Sequence, residues 1–244
     1  MHALYAHVLE SLFPTRCASC DGPACAGALF CDACAVSLVP GTEAYCPRCG
    51  RVYLDPPPGG GRHLCGACHR APPPWRQARA AYAYGGALSD AVARWKNRPA
   101  QALGPKLSRL MVAQSDLTGW ARLSPDTLVV PVPSHWRALR RRGFNPAGGL
   151  ARGLARALGL TLAPTALRVR RPLESSRGLS RAARRRRARG AFEARGRRVE
   201  GRAILLVDDV MTTGATAEAA TSTLLASGAT SVDVAVLARA VLEP

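Results

Sequence analysis

Four C-x2-C pairs, Cys17/Cys20, Cys31/Cys34, Cys46/Cys49 and Cys65/Cys68, constrain this chain more tightly than any other feature. The opening segment, MHALYAHVLESLFP, has neither the basic start nor the long apolar middle of a secretory signal. No apolar run reaches the roughly 20 residues needed to cross a bilayer. The chain therefore reads as cytoplasmic, where thiols stay reduced and pairs at this spacing hold metal rather than disulfides. The gaps within C-x2-C-x10-C-x2-C and C-x2-C-x15-C-x2-C each suit a tetrahedral four-cysteine zinc site, with thiolates about 2.3 Å from the metal. Two structural zinc ions are expected, and sequential and interleaved pairing of the ligands fit the spacing equally well. His63 and His69 flank the last pair and read as surface residues, while Cys25 is left over as a small buried or idle thiol.

A Gly- and Pro-rich segment of this length buries too little apolar surface to hold itself together, so metal binding substitutes for a core. Pro72-Pro73-Pro74 followed by Trp75 marks a semi-rigid spacer. The expected organisation is a cysteine-rich double zinc ribbon over 1–71, a linker over 72–78 and a second domain over 79–244. Hydrophobic residues at 48% against charged residues at 20% exclude a disordered chain.

In the second domain, apolar runs alternate with helical patterns, as in an α/β fold. Thr127–Val132 and Ala203–Val207 are short, β-branched runs of the kind buried on both faces of a parallel sheet. Helices are predicted over Pro146–Leu158, stopped by Gly159, and over Ala217–Ser227, stopped by Gly228, with a further strand over Ser231–Ala238. The stretch 203–238 is then one βαβ unit, whose ligand should sit at the carboxyl ends of its strands. That position holds Asp208-Asp209-Val210-Met211-Thr212-Thr213-Gly214-Ala215-Thr216. Small hydroxylated residues around a glycine at a helix start present several N–H groups to one point, as phosphate binding requires. The paired acids just upstream suit the vicinal hydroxyls of a ribose or a magnesium ion.

The formal net charge is +18, and the window from Arg137 to Arg202 carries 20 arginines and no lysine against Glu174, Glu193 and Glu200. So concentrated a field points to a phosphate-bearing partner, either nucleic acid or a polyphosphorylated small molecule. A composition bias accounts for the choice of Arg over Lys, which leaves only Lys96 and Lys106, but not for the clustering.

LLVDDVMTTGAT is similar to the 5-phosphoribosyl 1-diphosphate (PRPP) motif of type I phosphoribosyltransferases. The four knuckles followed by VVPVPSHWRALRRRGFNPAGGLARGLA and GLSRAARRRRARGAF resemble, more narrowly, the ComF or competence protein F family. That resemblance covers nearly the whole chain. It implies a parallel sheet flanked by helices and a binding site for PRPP with magnesium. Asp208 and Asp209 would be the catalytic pair on the ribose hydroxyls, and Thr212, Thr213, Gly214, Ala215 and Thr216 would cradle the 5-phosphate. Pro133, Ser134 and His135 would hold the pyrophosphate, and Lys96 occupies a position where the family tends to carry a basic residue. Arg142, Gly143, Phe144 and Asn145 match an R-G-F-N signature. Arg181 to Arg189 corresponds to a segment that closes over the site. Arg142, Asn145, Arg181, Arg184, Arg185 and Arg187 are accordingly candidates for lid or nucleic-acid contacts.

Pro146 stands where the family usually has Gln, Ala183 replaces a common Glu and Arg187 a common Asn, which affects acceptor recognition rather than PRPP binding. Thr212 stands where some purine-salvage relatives carry an Asp base. Two function classes follow: a phosphoribosyltransferase with an unspecified acceptor, and a single-stranded-DNA-binding accessory of DNA uptake that uses the PRPP site as a ligand site. Sparse aromatics, at 5%, favour backbone electrostatics over base stacking for any DNA contact.

Overall fold

The computed structural model describes residues 14–54, 61–97, 102–171 and 190–241. Its centre is a five-stranded sheet in the order β1 (Gln77–Tyr84), β7 (Ser231–Ala240), β6 (Ala203–Met211), β2 (Leu128–Pro131) and β3 (Thr161–Leu162). All four pairings are parallel. A separate antiparallel pair joins β4 (Leu167–Val169) to β5 (Phe192–Ala194). Among the described residues, the five longer helices are α1 (Gly86–Asn97), α2 (Leu103–Val112), α3 (Trp136–Arg142), α4 (Pro146–Leu158) and α5 (Ala215–Ala226).

The apolar runs form strands because they are buried on both faces. Along β6, Ile204 and Leu206 enter one core while Leu205 and Val207 enter the other. The helix over 146–158 forms as the sequence predicts. Pro146 occupies its first turn, Gly159 takes the left-handed conformation at its end, and Leu150, Ala151, Leu154 and Ala155 form its buried stripe.

Two strands differ from expectation. β6 continues past Val207 through Met211, with Asp208 opposite Val236 and Met211 opposite Arg239, so the acidic pair lies within a strand end rather than in the following loop. β1 carries little strand signature, half of it being alanine. It is held by its register with β7, from Gln77 opposite Asp233 to Tyr84 opposite Ala240.

The cysteine-rich segment shares the sheet's cores. Cys17, Ala18 and Phe30 belong to the buried cluster that contains α1, α2 and α4, whereas Cys46, Cys49, Cys65 and Cys68 belong to the cluster on the α5 face. The two ribbons thus lie on opposite sides of β1. Between them, residues 39–41 run antiparallel along that strand: Gly41 N donates to the Ala81 carbonyl (2.9 Å) and Ala83 N to the Val39 carbonyl (2.8 Å). The stretch read as a spacer is built in as well. Trp75 is 2% exposed, and the adjacent Arg76 forms a two-pronged ion pair with the buried Asp233.

Candidate functional site at the sheet's carboxyl edge

β2 leads outward through α3 and α4 to β3, while β6 leads the other way through α5 to β7. The junction between β2 and β6 is therefore a topological switch point, where the loops leaving neighbouring strand ends diverge and leave a crevice. Pro131 is opposite Val207, and Val132 N donates to the Val207 carbonyl (2.8 Å). The segment from Pro133 to His135 thus leaves the sheet beside Asp208.

Lys96, near the end of α1, comes to the same place: its Nζ lies 2.7 Å from Asp209 Oδ2. The acidic side chains also shape their own backbone, since Asp208 Oδ1 accepts from Asp209 N (2.9 Å) and Asp209 Oδ1 from Val210 N (2.7 Å). Loss of solvent around the Asp208 carboxyl, reinforced by the negative charge of Asp209, pushes its pKa up to about 8. Lys96 opposes that shift without cancelling it. A carboxyl whose proton is held this tightly gives it up when a cation or hydroxyl donors arrive to stabilise the charged form.

Beyond β6, Thr212 is exposed and Thr213 and Thr216 are half-buried. Gly214 caps α5 with φ +85°, a left-handed conformation costly for a residue with a side chain, and a Cβ there would lie 3.2 Å from the Trp75 ring. Ala215 N points toward Thr213 Oγ1 at 3.5 Å. The turn thus places the N-terminal end of a twelve-residue helix at the crevice.

On the β2 side, Asn145 caps the start of α4 by position but not through its side chain. Its Nδ2 instead donates to the Val132 carbonyl (3.0 Å), and its Oδ1 accepts from Ser134 Oγ (2.9 Å). His135 Nδ1 accepts from Arg137 N (3.4 Å) at the start of α3. Arg142 is half-buried, and its Nε is enclosed with no hydrogen-bond partner among the described residues. Arg181, Arg184, Arg185 and Arg187 lie outside the described residues.

A cavity of about 460 Å³ opens beside the 133–135 loop, with Arg137, Arg168, Arg170 and Arg195 on its wall. Trp136, also on that wall, is 53% exposed, with the guanidinium groups of Arg137 and Arg140 at 5.4 and 5.9 Å from its ring. A larger cavity, about 810 Å³, runs between α2 and α4 and shares only Asn145 with the candidate site residues.

Sequence reading missed Arg239, a buried arginine on β7 that donates to the Met211 and Thr212 carbonyls and so fixes the base of the 212–216 turn. Its signal was a lone cation in the otherwise apolar end of SVDVAVLARA. Trp75 and Trp136 were likewise missed as parts of the site's surroundings.

The cysteines form two groups of four, Cys17/Cys20/Cys31/Cys34 and Cys46/Cys49/Cys65/Cys68, with all sulfurs in each group within 4.8 Å of one another. Pairing is therefore sequential. Cys20 Sγ to Cys31 Sγ and Cys49 Sγ to Cys65 Sγ are both 3.7 Å, close to the ~3.8 Å edge of a tetrahedron built from 2.3 Å zinc–sulfur bonds. The residues fit two structural zinc ions. His63 stacks on Tyr53 with centroids 4.3 Å apart, His69 is exposed, and both lie outside the four-cysteine groups. Cys25 is exposed and also lies outside them, rather than being buried. No described helix is long and apolar enough to cross a membrane.

A double zinc ribbon domain matches residues 8–69, and a phosphoribosyl transferase domain matches residues 138–241. The DNA utilization protein YhgH of Escherichia coli K12 is 33% identical over 201 residues, covering 81% of this chain and 85% of that one. Competence protein F of Haemophilus influenzae is 29% identical over 239 residues, covering 95% of this chain and all of that one. A glutamine PRPP amidotransferase from B. subtilis, solved with ADP and GMP, aligns with 55% of this chain and 26% of its own at 24% identity and a TM-score of 0.37. With its ribbon and transferase domains in that order and its relatives matched over most of their length, the chain belongs to the ComF family of phosphoribosyltransferase-domain proteins.

Proposed function

We propose that the protein binds magnesium PRPP in the crevice between β2 and β6 and acts in the handling of DNA, as the names of its relatives suggest for them. The observation that carries this reading is the meeting of Lys96, Asp208 and Asp209 with the 133–135 loop and the start of α5. Asp208 and Asp209 would accept hydrogen bonds from the ribose hydroxyls. Residues 212–216 would hold the 5-phosphate through backbone N–H groups at the helix start. Pro133, Ser134 and His135, braced by Asn145, would line the pyrophosphate side.

Displacing pyrophosphate from the anomeric carbon develops positive charge on the sugar ring and negative charge on the leaving group, so no protein nucleophile is required. Magnesium supplies charge neutralisation on the diphosphate. The protein's part is to fix the sugar and its phosphate and to offer cations where charge leaves. Arg137, Arg168, Arg170 and Arg195 line a cavity on that side and would receive an anionic group. We assign the reaction to phosphoribosyl transfer without naming the acceptor.

Calorimetric titration with magnesium PRPP tests the reading. Asp208→Asn combined with Asp209→Asn keeps the shape and removes the charge, and affinity should fall at least tenfold, about 1.4 kcal/mol. Absence of PRPP binding by the unmodified protein would overturn the proposal.

A second reading, a single-stranded-DNA accessory using the PRPP site as a ligand site, is favoured by one feature. Trp136 is exposed between Arg137 and Arg140, an arrangement suited to stacking a base and holding its phosphate. Under this reading, affinity for single-stranded DNA falls with salt at a log–log slope of roughly −0.7 per phosphate contacted, and Trp136→Ala weakens binding without altering PRPP affinity.

A further inference from the structure

The two four-cysteine groups differ in what surrounds them. In the first, Cys17 is buried, Cys20 is exposed and Cys31 and Cys34 are half-buried, and the ribbon meets the α1 face through Cys17, Ala18 and Phe30 and through polar contacts such as Ser19 Oγ to Asp90 Oδ2 (2.8 Å). In the second, all four cysteines are buried in the cluster that also contains Trp75, Ala78, Met211 and Val236.

One route leads from this second group to the 212–216 turn. The carbonyl of Arg48, inside the Cys46–Cys49 knuckle, accepts from both Trp75 Nε1 (2.8 Å) and Ala78 N (3.0 Å). The Arg48 guanidinium returns a bond to the Pro73 carbonyl (2.9 Å). The knuckle therefore sets the position of the Trp75 ring, whose Cη2 lies 3.2 Å from where a Cβ on Gly214 would sit. The indole is the floor beneath the glycine of the turn.

Arg239 braces the same turn from β7: its guanidinium, on a residue only 2% exposed, donates to the Met211 and Thr212 carbonyls.

We propose that the second zinc cluster, acting through Trp75 as a positioning residue, holds the 211–216 turn in its binding conformation, and that the first cluster does not. The role given to the turn rests on the reading of 212–216 as a phosphate cradle. The mechanical coupling stands without it.

The test uses the full, zinc-loaded, unmodified chain. A chelator withdraws the metal stepwise, and N-ethylmaleimide labels the freed thiols so that peptide masses identify which cluster has opened. Amide hydrogen exchange is read after each step. Emptying the first cluster should leave exchange across 211–216 unchanged. Emptying the second should speed it at least tenfold while 150–155, in the opposite core, stays protected. With both zinc ions in place, Trp75→Phe, which loses the bond to the Arg48 carbonyl, should speed exchange across 211–216 at least fivefold and weaken magnesium PRPP by a similar factor.

Faster exchange on opening the first cluster, no change on opening the second, or a general loss of protection that includes 150–155 would overturn the coupling. Should the coupling hold while PRPP fails to bind the unmodified protein, the reading of the crevice falls and the scaffold role remains.

Discussion

Asn145 joins two parts of the candidate site, so truncating it should cost more than its half-buried position suggests. In Asn145→Ala the Val132 carbonyl loses its 3.0 Å donor and Ser134 Oγ its 2.9 Å acceptor. A neutral intramolecular hydrogen bond contributes about 1 kcal/mol net, and an orphaned polar group near the sheet end adds desolvation cost. Ser134 is half-buried and can turn to water, whereas Val132 is buried. The expected loss is therefore about 2 kcal/mol, a fall in Tm of roughly 4–8 °C for a domain this large. Helix capping contributes nothing to this figure, because the Asn145 side chain makes no cap bond.

Urea unfolding measures the loss, and a double-mutant cycle with Ser134→Ala isolates the second bond. The cycle should return a coupling of about 0.5–1 kcal/mol. Asn145→Asp keeps the acceptor and removes the donor, so it should retain the coupling to Ser134 while losing the Val132 bond. Stability unchanged within 0.5 kcal/mol in Asn145→Ala, an order-of-magnitude threshold for roughly neutral surface changes, would refute the claim that this side chain braces the 132–134 segment.

The raised pKa of Asp208 makes ligand binding proton-linked. Below about 8 the free site holds the proton, and a ligand that needs the carboxylate must expel it. Magnesium PRPP affinity should therefore rise by up to tenfold per pH unit until pH 8 and then level off; calorimetry in buffers of different ionisation enthalpy should register proton release at pH 7, and a flat profile would contradict this. Elemental analysis should find two zinc ions per chain, and Cys65→Ser should lower the melting temperature more than Cys20→Ser, because Cys65 is buried and Cys20 exposed. Gly153→Ala should destabilise by about 1–3 kcal/mol despite the better helix propensity of alanine, since the added Cβ would sit 1.7 Å from Ser108 Oγ. Pairing it with Ser108→Gly should restore most of the loss in thermal melts.

The parts of this architecture that were legible in the sequence are those whose cause is local. The C-x2-C spacing, the apolar runs of β2 and β6, and the Pro146 and Gly159 boundaries of α4 each carry their own signal. Ligand pairing was not legible, because ten- and fifteen-residue gaps permit more than one grouping, and only the folded chain separates them. β1 was not legible because half of its eight residues are alanine, a residue depleted in strands, and its place is set by pairing with β7, far away in the chain. Arg239 and Trp75 were missed for a related reason: their partners are carbonyl groups and a glycine far away in the chain, and no periodicity encodes such contacts.

The strip at 39–41 lies along what would otherwise be the open rim of the sheet. At the opposite rim β3 is two residues long, too short to template another chain. β1, at eight residues, is long enough, and its outer N–H and C=O groups would invite pairing with a neighbouring molecule were residues 39–41 absent. The cysteine-rich segment thus also guards against aggregation. A transferase fragment beginning at Arg79 would lose that guard along with the first two residues of β1, and should self-associate through the exposed strand where the full chain stays dispersed.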